Sequence, residues 1–77
     1  MAHLQPQQPP ANLEEAVTRW AQAIHERHEA QAVLDSLAAQ QPPDVQAVLQ
    51  AQAVVAQAEA NVSYYSAFTL FFQQNPQ

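Results

Sequence analysis

The feature that most constrains this chain is its punctuation. Between Ala11 and Asn75 the only prolines are the adjacent pair Pro42 and Pro43, and the 77 residues contain no glycine. Proline disfavours a helical conformation in the residue before it and lacks the amide that a helix interior uses. The run Gln40-Gln41-Pro42-Pro43-Asp44 is therefore a break between two long uninterrupted stretches. A chain without glycine also lacks the residue that supplies positive-φ turns, helix C-caps and phosphate-cradling loops, which argues against a β-rich or nucleotide-binding fold.

Alanine and glutamine dominate both stretches, and both residues favour helix. The expected fold is all-α: an antiparallel two-helix hairpin, with a first helix at about 12–40 and a second at about 44–74. Oligomerisation or a partner is expected to complete it into a helical bundle. Asn12 with Glu15 three places on forms a capping-box pattern, and Glu14 and Glu15 suit the positive end of the helix dipole. Pro43 or Asp44 opens the second helix, and Asn75-Pro76 stops it. The organisation is then an arm at 1–11, a hairpin at 12–75 and a tail at 76–77. The arm carries three prolines and reads as an extended or polyproline segment.

In the first helix Leu13, Val17, Trp20 and Ile24 recur at spacings of four, three and four, which places them on one face, expected to be the inner one. The same path continues through Arg27 or His28 and Gln31 to Leu34. The second helix carries two apolar stripes. One runs through Val48, Ala51, Val55, Ala58, Val62, Tyr65 and Phe72, and the other through Leu49, Ala53, Ala56, Ala60, Ala67 and Phe71. Gln46, Gln50, Gln57 and Asn61 form a polar band. The stretch Tyr64-Tyr65-Ser66-Ala67-Phe68-Thr69-Leu70-Phe71-Phe72 is rich in residues that sheets favour, but strict alternation fails and no second strand exists to pair with it, so the helix is extended through it.

A hairpin pivoting near Pro42 sets Trp20 opposite about Tyr64, and Leu13 opposite about Leu70. Trp20, Tyr65, Phe68 and Phe72 are then expected to gather with Val17 and Leu13 at the open end, leaving a thin, alanine-lined turn end. The expected core within the hairpin is Leu13, Val17, Trp20, Ile24, Leu34, Val48, Val55, Val62, Tyr65, Phe68 and Phe72. One helix can cover only one stripe of its neighbour, so Leu49, Ala53, Ala56, Ala60 and Phe71 are expected to meet a partner.

Function is bounded mainly by what the composition lacks. Seven acidic residues against two arginines give a net charge of -5, which disfavours a grip on nucleic-acid backbones. The opening residues lack the basic and apolar regions of a signal peptide, and no run of eighteen apolar residues occurs. These features suggest a soluble chain, in a cytoplasm or within a virion. There is no cysteine or lysine for nucleophilic catalysis, and Ser36, Ser63 and Ser66 have no histidine near them in the hairpin register. His25, His28 and Glu29 fall within about one turn and offer a metal at most a partial ligand set, with only Glu59 in reach on the second helix. They read better as a solvated face, so no metal, cofactor or enzyme activity is expected.

The first functional expectation is a structural or assembly subunit, such as a virion or secretion-apparatus component or another viral or bacterial accessory protein, acting by self-association or with another subunit. The second is a small acidic inhibitor or adaptor that occupies a site on another protein. A peripheral membrane peptide is a weaker third reading, because the aromatic C-terminal segment carries no lysine or arginine to meet anionic lipid.

Overall fold

The computed structural model describes residues 7–75. Two helices, α1 (Leu13–Ala38) and α2 (Val45–Gln74), pack along each other as an antiparallel hairpin, and no strand occurs among the described residues. The long dimension is 54 Å. Each helix begins on a side-chain cap: Asn12 Oδ1 accepts from the Glu15 amide at 2.8 Å, and Asp44 Oδ1 accepts from the Ala47 amide at 3.2 Å. Such caps satisfy amides that the first turn leaves without a partner.

The first helix stops two residues short of the expected Gln40. Ala39 closes it by donating to the Asp35 carbonyl at 3.1 Å, and Gln40 N–H turns back to Leu37 O at 3.3 Å. Pro42 bars a helical conformation at Gln41, so the chain leaves the helix before reaching it. The Gln41–Pro42 peptide is cis.

Ala30 and Val54 line one groove between the helices, and Arg19, Ala23, Asn61 and Tyr65 line one crevice, as a pivot near Pro42 would place them. What differs is the rotation of α1. Its buried residues are Ala16, Ala23, Glu26 and Ala30, so a row of alanines at intervals of seven faces the partner helix. Leu13 and Val17, expected inside, are 38% and 44% exposed, while Trp20, Ile24 and Leu34 are only half-buried. Val17 and Ile24 each follow a seam alanine by one residue and so sit about 100° around the helix from it. The seam face of α1 is thus lined by alanine methyl groups, and its larger apolar side chains flank it.

On α2 the seam comprises Ala51, Val55, Ala58, Tyr65 and Thr69, all buried, with Val48, Val62, Phe68 and Phe72 half-buried. Among the described residues of the two helices, five of the seven buried apolar residues are alanine, and no large side chain is fully buried. At about 0.8 kcal/mol per buried carbon, such a seam contributes little per residue.

A candidate interaction surface

Three regions of the hairpin are organised beyond what packing of α1 on α2 requires. The first is a crevice on one side of the seam, lined by Arg19, Gln22, Ala23, Glu26, Asn61 and Tyr65. The arm lies on its α2 wall: Gln7 Nε2 donates to Asn61 Oδ1 at 2.9 Å, and the Gln8 amide donates to the Tyr65 hydroxyl at 3.0 Å. Pro10 is buried. Gln57 Nε2 also donates to Asn61 Oδ1, at 3.1 Å, which gives that carbonyl two donors and a buried position of 2% exposure. Asn61, read from sequence as part of a polar band with Gln46, Gln50 and Gln57, is buried in the hairpin with Gln7 of the arm bonded to it. The other part of the arm, residues 1–6, lies outside the described residues, as do Pro76 and Gln77.

Glu26 sits in the same crevice, 8% exposed, with Gln22 Nε2 at 3.5 Å from its Oε1. Arg19, on the same wall, is held by Glu15, whose Oε1 accepts from Nε at 3.1 Å and from the terminal nitrogen at 3.0 Å. Deeper in the seam Thr69 donates its hydroxyl to the Tyr65 carbonyl at 2.9 Å. The polar groups at this end are thus largely paired within the chain, as burial requires.

The second region is the aromatic end. Tyr64 packs edge-on against both Tyr65 and Phe68, with centroids 5.1 and 5.0 Å apart; Phe68 stacks on Phe72 at 6.3 Å, and Phe71 meets Phe72 edge-on at 5.5 Å. The rings therefore form a ladder along α2, built by spacings of one and four. Trp20 was expected to join them, but among the described residues it makes no close ring pair. Its indole Nε1 is buried with no acceptor among those residues. Trp20 is half-buried beside the seam, four residues after Ala16 and three before Ala23.

The third region is the outer side of α2. Leu49, Ala53, Ala56, Ala60 and Phe71 are all exposed, with Leu49 at 53% and Phe71 at 54%. Leu70, at 55%, and Val45, at 65%, border the same surface. The one charge of this helix is Glu59. Together these side chains leave an apolar strip along a rigid helix, with α1 on its far side.

Catalytic geometry is not evident. His25 pairs with Glu29 one turn on, and no group of three or more metal-ligating side chains occurs among the described residues. No helix of the described residues is long and apolar enough to cross a membrane. The alanine row of α1 and the buried Asn61 were missed from sequence. Both have a signal: Ala16, Ala23 and Ala30 repeat at seven, and Asn61 stands three after Ala58 and four before Tyr65, at seam spacing.

Fold and surfaces together define a helical hairpin whose organised features are packing faces. No protein family, curated protein or solved structure matches the chain.

Proposed function

We propose that this protein is a non-enzymatic structural or assembly subunit that acts through helix–helix contacts, with the outer face of α2 as its contact surface. The observation that carries the reading is the exposure of Leu49 and Phe71, each more than half accessible, at the two ends of one uncharged apolar strip. Exposed apolar surface of this kind, continuous along a helix, marks an interaction site in a folded chain. The thin seam supports the same reading. A hairpin whose buried apolar residues are mostly alanine gains stability from a further helix layer, as small helical domains commonly do. Self-association through a two-fold would give a four-helix bundle, with α2 of each copy at the centre.

Sedimentation equilibrium across micromolar concentrations tests the reading. Concentration-dependent association that is lost in the Leu49→Glu, Phe71→Glu double variant is the expected result. A well-folded monomer over the whole range would overturn it.

A second reading, a small acidic binder of another protein, draws on the charge distribution. Glu14, Glu29, Asp35, Asp44 and Glu59 are all exposed, so the acidic groups outside the crevice are available to a basic partner. That reading expects one specific protein to be captured in a complex that dissociates as salt is raised.

A further inference from the structure

The exposed strip of α2 has mirror order about Ala60. Leu49 lies eleven residues before that alanine and Phe71 eleven after it; Ala53 and Ala67 stand seven away on either side, and Ala56 and Tyr64 four away. Outward from Ala60 the intervals are therefore four, three and four in both directions. Eleven residues nearly complete three helical turns, so Leu49, Ala60 and Phe71 share one line along the helix. All of these residues are exposed except Tyr64, which is half-buried at the edge of the strip. The seam, marked by buried Ala51, Val55 and Ala58, lies on the other side of α2.

Mirror order is what an antiparallel pair of identical helices requires. A two-fold axis perpendicular to such a pair sets each residue against the one equally far beyond the axis in the other copy, so both copies present the same patch. Building on the self-association put forward above, we propose that α2 pairs antiparallel with α2 of a second copy, about a two-fold axis level with Ala60. Leu49 of each copy then lies level with Phe71 of the other, at the two ends of a contact about 33 Å long at about 1.5 Å per residue. Tyr64 of each copy comes level with Ala56 of the other, whose methyl group leaves room for a ring. Ala60 meets Ala60 at the axis, where a small side chain lets two helices come close.

Charge singles out a second copy as the occupant. The strip carries none, and five of the seven acidic residues, Glu14, Glu15, Glu26, Glu29 and Asp35, belong to α1. Pairing through α2 places the two α1 helices outermost, so two chains of net charge -5 join along their uncharged faces with most of their carboxylates apart. Glu59 is exposed and precedes Ala60 by one residue, which turns it about 100° round the helix and leaves it in water. A basic partner would find no carboxylate on the strip to meet.

Disulfide trapping in the full chain tests the register, because the chain has no cysteine of its own. Ala53→Cys, Ala60→Cys and Ala67→Cys are small changes, and sedimentation equilibrium establishes that each variant associates as the parent does. Isotopically heavy Ala53→Cys and light Ala67→Cys protein are mixed, oxidised mildly and weighed by mass spectrometry. The expected result is a mixed 53–67 dimer at least tenfold more abundant than either 53–53 or 67–67, with Ala60→Cys linking readily to itself. Predominant 53–53 and 67–67 dimers in an associating protein would mean a parallel pair and would overturn the proposal. A statistical mixture of the three, or no trapped dimer from a protein that associates, would also overturn it. Each of those outcomes leaves self-association itself standing, whereas a parent chain that sediments as a monomer removes both.

Discussion

Gln7 and Asn61, fifty-four residues apart, are joined by a 2.9 Å hydrogen bond from the glutamine Nε2 to the asparagine Oδ1. This bond and its neighbour from the Gln8 amide to the Tyr65 hydroxyl turn the arm into a third packing element. They also supply hydrogen-bond partners to an amide buried in the middle of a helix and to the hydroxyl one turn further on.

Asn61→Ala removes the acceptor shared by Gln7 and Gln57. The expected loss of stability is about 1 to 3 kcal/mol, the range for a buried hydrogen-bonding group removed from its network. Urea denaturation followed by circular dichroism measures it. An unchanged midpoint would mean that the arm does not rest on this residue.

Tyr65→Phe keeps the buried ring and deletes the hydroxyl that accepts from Gln8. A smaller cost is expected, about 0.5 to 1.5 kcal/mol, as for a single neutral hydrogen bond. Amide hydrogen exchange gives a local readout: Gln8 should exchange faster in the variant, with α1 and α2 little changed. Equal protection of Gln8 in both proteins would contradict the contact.

Ala23→Leu tests the rotation of α1. Ala23 is 3% exposed in a close seam, so the added side chain has no space, and overpacking costs about 1 to 3 kcal/mol. Ala21→Leu, at an exposed position, is expected to be nearly neutral. If both variants melt alike, the inner face of α1 has been misassigned.

Trp20→Phe carries a less usual sign. The indole N–H is buried without an acceptor among the described residues, and such a group costs about 1 to 3 kcal/mol. Replacing it with a smaller ring deletes that penalty while giving up some contact area. The unfolding midpoint is expected to hold or rise. A clear drop would reveal an acceptor for the indole.

Much of the hairpin is legible from local chemistry. Pro42 and Pro43 end one helix and open the next, Asn12 and Asp44 cap them, and the lengths of the two legs give a register compatible with Ala23 and Asn61 lining one crevice. The faces of α2 are equally readable, because Val55, Ala58 and Tyr65 stand at seam spacing and Leu49, Ala56 and Phe71 stand opposite. The face of α1 is not. Leu13, Val17, Trp20 and Ile24 make a stripe more hydrophobic than the alanine row beside it, and a reading weighted by hydrophobicity selects the larger residues.

Asn61 illustrates the same limit. Within α2 it follows Ala58 by three and precedes Tyr65 by four, which is seam spacing, but it also falls in register with Gln57 and Gln50, and a reading weighted by polarity groups it with those glutamines. Its 2% exposure is reached only in the folded hairpin, where it lines a crevice with Ala23 and Glu26 of α1 and accepts from Gln7.

The punctuation with which the chain was first read thus determined its elements by itself: two helices, one break, and an arm whose prolines keep it out of helix. These depend on the dihedral preferences and amides of adjacent residues, which act within a few positions. Which side of α1 faces inward, and where the arm comes to rest, were decided by tertiary structure. The physical reason is that both depend on how closely two helices approach and on the groove their approach creates, and neither distance nor groove exists until distant parts of the chain have met.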